Sequence, residues 1–183
     1  MTDFTKLAQI YHAGFMEEKI SRFFQSAGDV SVYLWTLMAK QDNCDIAHMK
    51  RGIQYHFMSK KKPTLNIHEY YDRITSSFEV EGSTLLIACY YLRKLQLRGF
   101  FYTELNLHRF LFIAILLATK FNEDRLSKLP IQYARLSGMD CTEILKLEIY
   151  FCKMLNYELF CDQNQIANFI FAYENELHSA TSV

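Results

Sequence analysis

Asn106-Leu107-His108-Arg109-Phe110-Leu111-Phe112-Ile113-Ala114-Ile115-Leu116-Leu117-Ala118-Thr119-Lys120-Phe121-Asn122-Glu123-Asp124 is nearly all apolar until it ends in a charged cluster. A helix that is apolar on every side must be buried on every side. The unbroken run from Phe110 to Ala118 falls far short of the roughly 20 residues that a membrane span needs. The segment is therefore expected to be the central helix of a soluble helical domain, with Lys120 at its exit.

The rest of the composition fits one domain with a large core. Half of the 183 residues are hydrophobic, 15 of them Phe and 12 Tyr, which supplies the core. Only two Pro and six Gly argue against a loop-rich or disordered chain. Twenty basic and 20 acidic residues cancel, so net charge gives no case for a nucleic-acid binder, although a local patch is compatible with that sum. Cys44, Cys89, Cys141, Cys152 and Cys161 are odd in number and lack C-x-x-C spacing. The start, Met1-Thr2-Asp3-Phe4, has no basic-then-apolar signal pattern. An intracellular, reducing compartment, cytoplasmic or nuclear, with free thiols is expected.

Helical periodicity runs almost throughout, and no alternating strand of useful length occurs. Thr5 to Ser26 reads as one amphipathic helix and Val30 to Lys40 as a second; Ile46 to Met58 is a weaker stretch. Lys60-Lys61-Lys62-Pro63 marks a solvated break, since Pro disfavours helix just before it. Beyond it the start signals are regular. Asn66 with Glu69, Asp140 with Glu143 and Asp162 with Gln165 each have capping-box spacing. Gly82-Ser83 opens another helix, running to about Gln96, and Gly138 is placed as the left-handed residue ending the helix that contains Tyr133. Five helices are expected from Asn66 to about Asn156, and a sixth from Asp162 to about Leu177.

The helix from Cys141 to Leu155 carries an anomaly. Its apolar positions Ile144, Leu145, Phe151, Cys152 and Leu155 fall on one side, and at 100° per residue Glu148 lies among them. A carboxylate in an apolar stripe costs free energy unless it is paired. Lys120 has the same problem in milder form, one turn beyond Leu116 and Leu117. Two readings fit: an internal Lys120–Glu148 ion pair, or a surface awaiting a partner.

The order of these pieces resembles a cyclin box, specifically that of the P-type or U-type, phosphate-signalling cyclins. Pro63-Thr64-Leu65-Asn66-Ile67-His68-Glu69-Tyr70-Tyr71-Asp72-Arg73-Ile74 is similar to that class's entry into the first box helix. Leu86-Ile87-Ala88-Cys89-Tyr90-Tyr91-Leu92 resembles the second helix. Leu107-His108-Arg109 with Ala118-Thr119-Lys120-Phe121 resembles the third, and Tyr133-Ala134-Arg135-Leu136-Ser137-Gly138 the fourth. Leu147-Glu148 with Leu155-Asn156-Tyr157-Glu158-Leu159 resembles the fifth and its exit. The resemblance covers about half the chain, and the helix around Val32 to Lys40 also has a counterpart in the class.

The resemblance implies an all-α fold: a single cyclin box of five helices over 63–160, flanking N-terminal helices in an extension over 1–62 that packs on the box, and one C-terminal helix in a tail over 161–183. Too few residues follow Leu159 for a second box. The implied function is that of a non-catalytic regulatory subunit that binds and allosterically activates a cyclin-dependent kinase. The alternative is a cyclin-fold scaffold or transcription-factor-like adaptor that activates no kinase. Cyclins grip the kinase backbone with a Lys at the end of the third box helix and a Glu on the fifth, which fall here on Lys120 and Glu148. By the same matching, Leu117, Glu123, Tyr157 and Leu159 are neighbours in that interface. Two departures stand out. Many cyclins have Asp, bonded to an Arg of the first helix, where this chain has Arg93, so that internal bridge is absent or replaced. The substrate-docking motif of cell-cycle cyclins is also not recognisable around Leu65-Asn66-Ile67.

No catalytic signature competes with this reading. The six His are scattered, His68-Glu69 does not continue as H-E-x-x-H, and no Walker, G-x-S-x-G or G-x-G-x-x-G motif occurs. No cofactor, metal, nucleic acid, membrane or small-molecule substrate is expected as a partner.

Overall fold

The computed structural model describes residues 33, 34, 36–38, 52–78, 80–122 and 130–180. Among these, every regular element is a helix. A 3-10 turn at Ile53–Phe57 precedes α1 (Ile67–Phe78), α2 (Gly82–Leu97), α3 (Leu107–Asn122), α4 (Pro130–Ser137), α5 (Cys141–Met154) and α6 (Gln163–Ala180). Residues 31–160 form one compact unit; α6 belongs to a second. In α6 the buried residues Ile166, Phe169, Ile170 and Tyr173 recur at helical spacing on one face. The expected helix over Thr5 to Ser26 lies outside the described residues.

α3 is the hub. Leu107 and every residue from Phe110 to Thr119 are buried. α2 packs on it most extensively, with α1, α5 and the 3-10 turn also against it. Phe57 from that turn stacks on Phe110 at 4.0 Å, and Phe151 of α5 approaches Phe110 at 6.1 Å in a tilted arrangement. Tyr102 meets Phe110 edge-on at 5.1 Å and donates its hydroxyl to the Leu92 carbonyl at 2.7 Å. Buried aromatic clusters of this kind add directional contacts to area burial.

The Ile46 to Met58 stretch needs correction where it is described. Ile53–Phe57 is a 3-10 turn, not an α-helix. The reason is tertiary: it buries Phe57 between α3 and α5, and the Gln54 side chain accepts from the Phe101 N–H at 3.1 Å. Upstream, residues 33, 34 and 36–38 are helical. Tyr33 donates to the Cys89 carbonyl at 3.0 Å, and Gln96 to the Leu37 carbonyl at 3.3 Å, which ties this stretch to α2.

The caps set the helix starts. Asn66 and Glu69 form a reciprocal capping box at 2.9 and 3.1 Å, as do Asp162 and Gln165 at 2.8 and 3.1 Å. Asp140 accepts from the Glu143 N–H at 2.8 Å. Gly138 ends α4 at φ +73°, its N–H on the Ala134 carbonyl. In place of a first-to-second-helix bridge, Arg73 donates to the Arg135 carbonyl at 3.2 Å, and Arg93 to Gln96 at 2.6 Å within α2.

Candidate functional site

α5 carries two apolar faces, not one. Ile144, Leu147, Phe151 and Met154 are buried against the rest of the unit. Leu145, expected among them, is 57% exposed, and Ile149 is 45% exposed. With exposed Cys141 and half-buried Cys152, they make a second strip along the helix at i, i+4, i+8 and i+11. Glu148 sits on the border between core and strip, with only 9% of its surface exposed.

Its partner comes from the end of α3. Lys120 Nζ donates to Glu148 Oε1, while Leu117, one turn earlier, is buried. The all-apolar sequence of α3 explains the placement: Lys120 is the first residue after the buried run whose side chain reaches water. Leu116, Lys120, Pro130, Tyr133, Cys141, Ile144, Leu145 and Glu148 wall a groove of about 370 Å³. Phe121 and Ile131, next in sequence to Lys120 and Pro130, are each about half exposed. Isolated exposed apolar side chains need no explanation, but several beside a nearly buried carboxylate do.

The exit of α5 has unusual backbone. The Asn156 N–H bonds the Lys153 carbonyl at 2.9 Å and the Tyr157 N–H bonds the Cys152 carbonyl at 2.7 Å, a Schellman closure. Asn156 and Tyr157 have φ of +54° and +60°. Asn tolerates the left-handed region, whereas a bulky Tyr there is strained. The strain presents the Tyr157 side chain, 65% exposed, to solvent. α2 holds this exit in place: Tyr91 donates to the Leu159 carbonyl at 2.7 Å, Arg98 to the Met154 carbonyl at 2.9 Å, and Lys94 and Arg98 both pair with Glu158. Those two cations hold the Glu158 carboxyl below its usual range, the Lys94 hydrogen bond being the largest cause.

Of the six residues expected in the interface, the structure brings Lys120 and Glu148 into direct contact, with Leu117 beside them on α3. Tyr157 and Leu159 lie past the end of α5, about two turns beyond Glu148. Glu123 lies outside the described residues. Leu145 and Ile149 were missed as surface residues; the signal was the angular offset of Leu145 from Ile144, about 100° in a helix. Among the described residues, no group of three His, Cys, Asp or Glu gathers as a metal site, and no helix is long and apolar enough to cross a membrane.

Comparison with known proteins agrees with this architecture. The cyclin family profile matches residues 20–159. The chain is 35% identical over 108 residues to the PHO85 cyclin PHO80 of Saccharomyces cerevisiae, covering 58% of this chain and 36% of that protein. It is 29% identical over 121 residues to Cyclin-P3-1 of Oryza sativa subsp. japonica, covering 66% of this chain and 51% of that one. The chain thus spans between a third and about half of the length of these relatives. With a profile match across most of its length and an all-helical architecture built on a buried third box helix, this chain belongs to the cyclin family, and its relatives are those of the P/U-type class.

Proposed function

We propose that this chain is a regulatory subunit that binds a cyclin-dependent protein kinase through the groove between α3, α4 and α5, and activates it without contributing a catalytic group. The observation that carries the reading is the Lys120–Glu148 pair, set on the border of an exposed apolar strip. Lys120 offers N–H donors to carbonyls and Glu148 accepts from N–H groups, so the pair can exchange part of its internal bonding for a partner's backbone. Leu145 and Ile149 supply apolar area, each worth on the order of 1–2 kcal/mol once covered. Tyr157 and Leu159, on the hydrogen-bonded α5 exit, extend the contact surface, and the family resemblance adds Glu123 to it. One relative is named as the cyclin of PHO85, which supports a dedicated partner.

Activation follows if the kinase's active conformation fits this face better than its inactive one. The shift in population is then set by that difference in affinity. The test is titration of the full chain against a panel of purified cyclin-dependent kinases, with binding and phosphotransfer read together. One kinase should bind saturably and gain activity in proportion to complex. Saturable binding without any gain would turn the reading to a scaffold; wild-type affinity in a folded Lys120→Ala, Glu148→Ala protein would refute the proposed grip.

A further inference from the structure

A second cleft lies at the other end of α3. Arg109 and Lys120 are eleven residues apart on that helix, about 16 Å along its axis. The cleft, of about 320 Å³, is bounded by the Ser59–Leu65 loop, α1, the start of α3 and the end of α4. Lys61, Arg73 and Arg109 line it, and among the described residues no carboxylate does. In a chain with zero net charge, this is a concentrated positive spot.

The three cations differ in commitment. Arg109 pairs with Glu143 at 2.6 Å, so its charge is partly answered, though its fork has further N–H groups. Arg73 spends one N–H on the Arg135 carbonyl, and among the described residues neither it nor Lys61 is ion-paired. Arg73 and Arg109 line the same cleft as Tyr70, Arg73 from α1 and Arg109 from the start of α3. Ser59 and Thr64 add hydroxyls at the rim, and Leu65 and Met139 add apolar wall.

We infer that this cleft binds a phosphate monoester, and specifically a phosphorylated side chain in a peptide segment of a partner protein. One carboxylate would satisfy one arginine; two uncompensated cations plus a third fork and hydroxyl donors match a dianion with three acceptor oxygens. The apolar walls favour a peptide over free phosphate, because residues flanking the phosphorylated one would cover them. A single localised cationic spot, without a basic stripe among the described residues, does not suit the continuous backbone of a nucleic acid. The site is separate from the α5 groove, so both can be occupied together and the inference stands apart from the kinase reading.

The test uses the isolated full chain, immobilised, and a degenerate pool of short peptides with a central phosphoserine. The chain should retain a subset of the phosphorylated pool and none of the same pool without phosphate. A retained peptide should bind about tenfold or more tightly than sodium phosphate, and weaken with added salt. Lys61→Gln and Arg73→Gln should each lower its affinity about tenfold. Lys61 sits in an exposed loop, so that variant keeps the test decisive if Arg73→Gln melts early. Equal retention of both pools, unaltered binding in folded Lys61→Gln, or sodium phosphate matching the peptide would each overturn the proposal. Tighter binding of a short DNA, lost in the same variants, would replace the phosphopeptide with nucleic acid.

Discussion

Lys120 donates to Glu148 across the junction of α3 and α5, 28 residues away in sequence, in the chain without any partner. The two charges therefore serve the fold before they serve a complex. Lys120→Ala strands a nearly buried carboxylate, so thermal unfolding should report a loss of about 1–2 kcal/mol, modest because the pair is partly solvated. Kinase affinity should fall more, by about 2–5 kcal/mol for either Ala variant. The double variant should lose less than the sum of the singles, in stability and in binding, because the residues share one interaction. A binding loss no larger than the stability loss would mean that the pair is purely internal.

The hub makes a second prediction. Phe112 and Leu116 are both fully enclosed in α3. Truncation of either to Ala should destabilise by roughly 2–5 kcal/mol, through lost transfer energy and an unfilled cavity. Urea denaturation read by tryptophan fluorescence and circular dichroism together checks this; unchanged midpoints in both variants would contradict the packing.

The α5 exit gives a third. Tyr157 holds a left-handed conformation that costs a non-glycine residue on the order of 1–2 kcal/mol. Gly adopts it freely but loses more entropy on folding. Tyr157→Gly should leave stability equal or raise it by about 1 kcal/mol, while weakening kinase binding. A variant that melts lower than wild type would show that the exposed ring supports the fold.

His108 gives a pH dependence. Its Nε2 donates to the Leu65 carbonyl at 2.9 Å, leaving Nδ1 buried with no hydrogen-bond partner among the described residues. Protonation would put an unanswered N–H there, and burial holds the imidazole's pKa below its ordinary 6.5 despite the opposing backbone bonds to Leu65 and Asn66. Between the folded and unfolded pKa the unfolded chain binds more protons, so stability falls as pH drops below 6.5 and levels off under the folded value. His108→Gln should show a smaller loss between about pH 7.5 and 5.5 in urea midpoints. An identical slope in both proteins would remove His108 as the source.

Much of this was legible before the structure because it is local. The capping pairs at Asn66 and Asp162 are three-residue patterns, and the hub is a run of apolar residues. Glu148 stood out because helical geometry alone places it among apolar neighbours. What escaped depended on distant partners. Ile53–Phe57 is tightened into a 3-10 turn by Phe57 reaching Phe110, 53 positions on in the chain. Leu145 reads as one apolar side with Ile144, because a wide apolar arc does not say where solvent begins. The cationic cleft draws Lys61, Arg73 and Arg109 from three separate segments, and composition averages such charges to zero.

The all-round burial of α3 also orders events at the ribosome. α3 is complete at Asn122, yet Phe151, which covers Phe110, is added about 29 residues later. At roughly 5–20 residues per second, that leaves the nascent helix without its α5 cover for about 1.5–6 seconds. During that interval each new chain displays Phe110 to Ala118 with one side bare, an adhesive stretch for other chains. Soluble yield should consequently follow translation speed, temperature and chaperone supply, even between variants whose finished forms are equally stable.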